Sequence, residues 1–271
     1  MGDQPAKPKL LDQLRDRIRL KNYSRRTEDA YLDWTKRFIL YHNKRHPQEM
    51  GKPEIEAFLT WLAVERKVAA ATQNQARSAL LFLYKELLAI DLPWLKDVEP
   101  AKKPKKMPVV LTEQEVQRLL AKVPESWSLL GKLLYGTGMR LLEVLRLRVQ
   151  DIDFERCEVM IRDGKGGKDR VTMLPQSLVQ PLQQQLTFVR RLHTRDLADG
   201  YGEVWISESL ARKYPTAGRE WRWQYVFPSA RLSVDPASGV TRRHHMDEKG
   251  LQRAIRQAAC ADHHDLYPCL E

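Results

Sequence analysis

The sequence of 271 residues has no long apolar run and few cysteines. Its longest unbroken apolar stretch, Ala79–Tyr84, is far shorter than the roughly 18 residues that a membrane-spanning helix needs. The first residues are polar and lack the apolar core of a signal peptide, so we expect a cytoplasmic protein without membrane association. The three cysteines, Cys157, Cys260 and Cys269, are too few and too scattered for a disulfide framework or a zinc site. We therefore predict reduced thiols and no bound metal.

The sequence has an excess of positive charge. It holds 46 Lys and Arg against 35 Asp and Glu, and residues 1–110 account for 22 of the basic residues and only 14 of the acidic ones. Such an excess favours a polyanionic partner, because each Lys or Arg that meets a phosphate releases counterions. A solvated basic surface without a partner, in a protein with no DNA role, explains the charge as well.

A basic, proline-rich segment at residues 99–110 divides the chain. It contains three prolines and four lysines with almost nothing to bury, which predicts an extended linker whose Lys102 and Lys103 are candidate phosphate contacts. Residues 1–98 carry apolar side chains at helical spacing and predict a helical bundle with one polar, basic face that includes Arg77.

Residues 111–259 predict a second domain that mixes helices with a small antiparallel sheet. Two β-rich runs, 158–162 and 170–174, flank a glycine-rich segment and predict a hairpin with Lys165 at its tip. The whole chain is therefore predicted to be mainly α-helical, of the α+β class. Residues 260–271 lack the periodicity of what precedes them.

Three residues of this domain could serve chemistry on a phosphate. Arg140 precedes an apolar helix, where backbone N–H groups also favour an anion, and Glu143 lies close enough on that helix to brace it. Lys165 on its loop could donate a proton to a leaving oxygen. Taken singly, each fits an ordinary surface role as well: an ion-paired arginine, a solvated glutamate and a solvated turn lysine.

The motifs together resemble the tyrosine site-specific recombinases, and among them the integron integrases. The resemblance rests on YGTGMRLLE at 135–143, LRVQDID at 147–153 and GKGGKDR at 164–170, together with Ser24, Thr27 and Tyr31 in the first domain. It implies an N-terminal core-binding domain and a catalytic domain that clamp DNA and act as tetramers on paired sites.

In that family a tyrosine attacks a DNA phosphodiester to give a 3′-phosphotyrosyl link, without metal or cofactor. Two arginines stabilise the charge that builds on the phosphate, and a lysine protonates the leaving oxygen. By this resemblance Arg140 is the first arginine, Lys165 is the lysine and Glu143 is a supporting residue.

An insertion at about 193–245 carries the resemblance to integron integrases. It includes RKYPTAGREW at 212–221, WQYVF at 223–227 and RRHH at 242–245. The resemblance implies that folded single-stranded hairpin sites are bound through flipped-out bases, with these candidate contacts: Trp223, Pro236, His244 and His245. From the residues alone, the aromatic side chains could equally pack into the domain core. The run 244–248 is weak evidence for a metal site, because it lacks a distant third ligand.

The second half of the family's catalytic set is absent from these 271 residues. No arginine follows Arg256, so a His-x-x-Arg motif cannot occur after it, and Tyr267 is followed at once by Pro268. We therefore expect a C-terminally truncated recombinase that cannot cleave DNA alone. The alternative is a DNA-binding protein that occupies recombination sites without chemistry. We also expect the missing helices to leave Leu251 and Ile255 exposed.

Overall fold

The computed structural model describes residues 9–92, 110–162, 164, 168–236 and 238–262. The chain divides into two compact units, Met1–Pro108 and Val109–Glu271.

In unit 1 the described residues form a bundle of α-helices. They are α1 (Leu10–Leu20), α2 (Arg25–Tyr41), α3 (Lys52–Val64) and α4 (Ala70–Phe82), which continues as a π-helical turn over Leu83–Leu87. Ser24 caps the N-terminus of α2, since its hydroxyl accepts the N–H of Thr27 at 3.2 Å. Phe38, Phe58 and Tyr84 are fully buried between these helices.

Unit 2 surrounds its sheets with helices. The described helices are α5 (Glu113–Lys122), α6 (Glu125–Thr137), α7 (Leu141–Leu145), α8 (Gln176–Ala198), α9 (Glu208–Lys213) and α10 (Glu248–Asp262). A 3₁₀ turn over Val149–Asp151 follows α7, and a capping box between Thr112 and Glu115 opens α5.

Two small antiparallel sheets complete unit 2. The first joins β1 (Ile152–Asp153), β2 (Glu158–Ile161) and β3 (Arg170–Met173) in that order, with Glu158 opposite Met173. The second is the hairpin of β4 (Pro228–Val234) and β5 (Thr241–His245). The prediction of a mainly helical chain with a small antiparallel sheet is confirmed, and the 158–174 hairpin lies where the sequence predicts it; the second sheet was not predicted.

The core of unit 2 corrects one expectation. Leu251 on α10 is fully buried among Leu133, Val144 and other apolar side chains, and Ile255 packs against the same core. The prediction that these two residues lie exposed was wrong, because α10 uses its apolar stripe to cover α5, α6 and α7. In the part of the chain that the structure describes, no helix is long and apolar enough to cross a membrane.

Candidate phosphate site and aromatic cluster

The chain turns between α6 and α7 in a way that presents Arg140. Gly138 ends α6 with φ of 64°, a left-handed conformation that favours glycine. The Thr137 hydroxyl donates to the Leu133 carbonyl at 2.6 Å and accepts the Met139 N–H at 3.3 Å. Arg140 follows as the N-cap residue of α7, with its side chain 56% exposed. A guanidinium is thus held towards solvent from a fixed backbone.

Glu143 joins Arg140 to a second arginine. Its Oε2 accepts the backbone N–H of Arg140 at 2.8 Å and Nη2 of Arg170 at 2.6 Å. Its Oε1 accepts Nη1 of Arg140 at 2.9 Å and Nη1 of Arg170 at 3.0 Å. The Glu143 side chain is only 8% exposed, so the solvated alternative for this residue does not hold. All the hydrogen bonds are charge-assisted, which makes the arrangement rigid.

The electrostatics of this cluster favour an anion. Arg170 lowers the pKa of Glu143 to about 2 by donating hydrogen bonds to the carboxylate; burial opposes this shift, and Arg140 reinforces it. Glu143 is therefore charged at neutral pH, but its one negative charge faces two guanidiniums. The cluster keeps a net positive charge on its exposed side, where a phosphodiester would be a matching ligand.

Two ion pairs hold the ends of the β2–β3 loop. At the β3 end Arg170 is bound to Glu143, as described above. At the β2 end Nε of Arg162 donates to Oδ1 of Asp151 at 2.7 Å, and Asp151 is 5% exposed. Since Glu143 and Asp151 both belong to the segment that begins with Arg140, the loop base is fixed beside that arginine.

The loop itself is described only in part. Gly164 lies so close to Arg170 that an added Cβ would approach its Nη1 to 3.0 Å and the Lys168 carbonyl oxygen to 2.7 Å. A side chain at position 164 would therefore push against the ion-pair cluster. Lys165 lies outside the described residues, so its predicted catalytic role stays a prediction.

A second cluster surrounds Arg148, the residue before the 3₁₀ turn. The Arg148 guanidinium donates to the carbonyl oxygens of Trp223 at 2.5 Å and Trp205 at 2.7 Å. It also donates to the Tyr225 hydroxyl at 3.2 Å and lies over the Tyr225 ring, 4.0 Å from its centroid. Arg148 thereby ties the insertion to the domain core.

The two adjacent histidines contact the buried Tyr225. The His244 and His245 rings are 4.0 Å apart between centroids, and each meets the Tyr225 ring edge-on at about 5.5 Å. Desolvation by the surrounding protein, then the neighbouring His245, lowers the pKa of His244 to about 4, although this residue keeps one exposed side. Burial also lowers the pKa of His245. Both imidazoles are therefore neutral at physiological pH. Among the described residues no group of three or more His, Cys, Asp or Glu is arranged to hold a metal.

The structure separates Pro236 from the other predicted base contacts. Trp223 is joined to Tyr225 through Arg148, and both histidines contact Tyr225. Pro236 is exposed in the turn beyond Val234, at the opposite end of the β4–β5 hairpin from the Pro228–His245 pair. The Nε1–H of Trp223 is buried and has no acceptor within the described part of the chain.

A buried ion pair anchors the hairpin that carries the histidines. Nε and Nη2 of Arg243 donate to the two carboxylate oxygens of Asp196 on α8, at 2.5 and 2.7 Å, and both side chains are almost fully buried. The neighbouring Arg242 forms ion pairs with Glu203 and Asp235. The paired carboxylates fix β5 on α8, so the histidines sit on a rigid support.

Unit 1 has a polar cleft, but none of the predicted DNA contacts is placed on it. A cleft of about 440 Å³ lies between α2 and α4, and its lining is rich in hydroxyl and amide groups: Ser24, Arg26, Thr27, Tyr31, Asn74, Gln75 and Ser78. Arg77 is half-buried on the same helix α4 but does not line the cleft. Lys102 and Lys103 fall outside the described residues.

Sequence reasoning missed Arg170 and Arg148. Arg170 lies in the GKGGKDR motif and Arg148 in the LRVQDID motif, but neither motif indicated a role for its arginine. Their partners lie 27 and up to 77 residues away along the chain. No local signal identifies such pairs.

Both domains of the chain match known protein families. Residues 10–94 match the N-terminal SAM-like domain of phage integrases, and residues 109–267 match the phage integrase family. The chain belongs to the phage integrase family. It is 49% identical over 250 residues to integrase/recombinases of Escherichia coli and of Pseudomonas aeruginosa, a match that covers 92% of this chain and 74% of each relative.

Solved structures extend the comparison to the fold. The chain resembles a lambda integrase tetramer bound to a Holliday junction, with a TM-score of 0.62 at 16% identity, over 97% of this chain and 64% of that one. This phage integrase family member therefore has the tyrosine recombinase fold. The family and the integrase/recombinase relatives support site-specific DNA recombination as the process in which the chain acts.

Proposed function

We propose that this chain is an integron-type recombinase that binds recombination-site DNA in the cytoplasm and that, as a polypeptide of 271 residues, does not cleave it. The observation that carries the proposal is the Arg140, Glu143 and Arg170 cluster, which offers a net positive charge from a rigid base. A phosphodiester placed against Arg140 would meet the first arginine of the family's catalytic set, beside the base of the β2–β3 loop. The proposal needs no metal or cofactor.

We expect no cleavage from residues 1–271 alone because of what the reaction needs. Strand cleavage needs a tyrosine nucleophile and more than one cation around the phosphate, because the negative charge grows in the transition state. The 271 residues hold no His-x-x-Arg after Arg256, and Pro268 directly follows Tyr267. Residues that make up only part of the catalytic set can bind a phosphodiester but cannot cleave it.

The aromatic cluster supports folded single-stranded hairpins as the preferred DNA. His244 and His245 contact Tyr225, and Arg148 joins the Trp223 main chain to the same tyrosine. The two imidazoles are neutral, so a base that stacks on them displaces no charge. Pro236, at the far end of the hairpin, would meet a different part of the DNA. Arg77, Lys102 and Lys103 would add contacts to the phosphates of a double-stranded attachment site.

The oligomeric state is part of the proposal. A solved structural neighbour is a tetramer bound to a Holliday junction. We propose that copies of this chain also assemble on paired DNA sites.

Two labelled substrates, a hairpin and a duplex, test the proposal. A hairpin with an extrahelical base and a nick next to the presumed cleavage position is incubated with the chain and run on native and SDS gels. We expect a retarded complex in the native gel, weakened by Arg140→Met and unaffected by the matched surface variant Arg156→Met, and no adduct in SDS. An SDS-stable adduct that Tyr267→Phe abolishes would contradict the lack of cleavage, and binding of duplex and hairpin with equal affinity would contradict the preference.

The binding-only alternative keeps the same fold and DNA but a different role. It is favoured by the same gap in the catalytic set. If the chain occupies sites to interfere with an intact integrase, adding it to that enzyme should reduce recombination in proportion to site occupancy. Unchanged recombination at saturating occupancy would exclude this role.

A further inference from the structure

Arg148 makes an unusual set of contacts for a charged side chain. Its guanidinium donates to two main-chain carbonyls, of Trp205 and Trp223, and to the Tyr225 hydroxyl, rather than to a carboxylate. The Tyr225 ring covers one face at 4.0 Å. The neighbouring Asp151 instead accepts the backbone N–H of Arg148 at 3.0 Å. The side chain therefore uses its charge to hold three aromatic residues of one segment.

The backbone also connects the segment around Arg148 to the segment around Tyr225. Arg148 and Tyr225 form an isolated antiparallel bridge, in which the Val149 N–H donates to the Gln224 carbonyl at 3.0 Å and the Val226 N–H donates to the Leu147 carbonyl at 2.9 Å. The bridge fixes the segment at one point, around residue 225. The guanidinium adds two more fixed points, at the carbonyls of Trp205 and Trp223, both earlier in the chain.

We propose that Arg148 is a positioning residue that sets the geometry of Trp223, Tyr225 and the paired histidines, and so determines how well this chain discriminates an unpaired base from a paired one. The inference rests on the proposed recognition of extrahelical bases. It assigns Arg148 no contact with DNA: the side chain acts through the aromatic residues that it holds.

The geometry explains why arginine is needed. A planar guanidinium can donate in several directions within one plane while an aromatic ring covers its face. Lysine keeps the charge but has a single ammonium at the end of a flexible chain, which cannot reach all three acceptors and lie flat on Tyr225. A loss that lysine does not restore would therefore point to geometry and not to charge.

The test compares two hairpins that differ only in one extrahelical base. The affinity of the full chain is measured for both, and the ratio of the two dissociation constants is recorded for wild type, Arg148→Lys, Arg148→Met and the control Arg231→Met. One stacked base is worth roughly tenfold in affinity. We expect wild type and the control to keep a ratio of this size and both Arg148 variants to lose most of it, while the affinity for the fully paired hairpin stays within about twofold. A merely structural role would lower both affinities together and leave the ratio unchanged, which would overturn the proposal.

A second measurement separates this inference from the proposed function. Hydrogen exchange of the amides at 221–226 is compared with that of the β2–β3 pair in the same variants. If wild type shows no preference for the extrahelical base, the proposed recognition fails, but faster exchange confined to 221–226 in Arg148→Lys still supports a positioning role. Unchanged exchange at 221–226 in both variants overturns that role whatever the DNA result.

Discussion

Replacing Glu143 by glutamine should destabilise unit 2 in a pH-dependent way. The carboxylate accepts hydrogen bonds from the Arg140 backbone and from both guanidiniums, and a glutamine would turn one acceptor oxygen into a donor that faces other donors. The pKa of Glu143 is lowered from 4.5 to about 2, chiefly by Arg170. Because the folded pKa lies below the unfolded one, this stabilisation is complete above pH 4.5 and is lost as the pH falls towards 2.

The size of the destabilisation follows from the pKa shift of Glu143. At about 1.4 kcal/mol for each pKa unit, the difference corresponds to a ceiling of about 3 kcal/mol. Arg140 and Arg170 are themselves substantially exposed, so solvent screens part of this energy. We expect Glu143→Gln to lower the free energy of unfolding by about 1–2 kcal/mol at pH 7.

Urea unfolding at several pH values between 7 and 3 measures this effect. Pulsed hydrogen exchange read on peptides from 110–162 isolates the transition of unit 2 from that of unit 1. Glu208→Gln is a matched control, because Glu208 is almost fully exposed and pairs with Arg212 only at 3.9 Å. The reasoning is refuted if Glu143→Gln costs no more than the control at pH 7, or if its cost does not shrink as the pH falls from 4.5 to 3.

Three further predictions concern other charged groups of unit 2. Asp196→Ala should cost about 3–5 kcal/mol in urea unfolding, because it leaves a buried Arg243 without its partner; a cost below about 1 kcal/mol would contradict this. Burial lowers the pKa of His245 below 6.5, so the unfolded chain takes up the proton first and stability falls as the pH drops below 6.5; His245→Gln should flatten that fall, and an unchanged slope would count against it. Arg170→Met should speed hydrogen exchange at Gly164 and at 168–170, with Arg156→Met as a control that leaves it unchanged; equal exchange in both would show that the ion pair does not hold the loop.

Local signals in the sequence predict much of the fold. The Ser24 cap, the Thr112 capping box and the 158–174 hairpin each depend on residues a few positions apart, and all appear in the structure. The apolar periodicity of the first unit likewise predicts its helices. The β4–β5 hairpin was not predicted, because its strands carry charged and small residues rather than a β-rich alternating pattern.

Long-range pairing accounts for what the sequence could not predict. Glu143 could be predicted to brace Arg140, one helical turn away, but its second partner Arg170 arrives through the sheet. The burial of Leu251 was missed for the same reason: its environment is built by helices more than a hundred residues earlier. Arg140 and Glu143 are therefore close in the sequence, whereas the partner that holds Glu143 from the other side, Arg170, is distant in the sequence.

The most direct test of the central account asks whether Arg140 meets one DNA phosphate. Phosphates of the hairpin substrate are replaced one at a time by neutral methylphosphonates, and the affinity of each substrate is measured for wild type, Arg140→Met and the control Arg156→Met. The account predicts that one phosphate stands out in wild type and in the control, and that its contribution disappears in Arg140→Met. A scan in which all three proteins respond alike at every phosphate would contradict the claim that this cluster is a phosphate site.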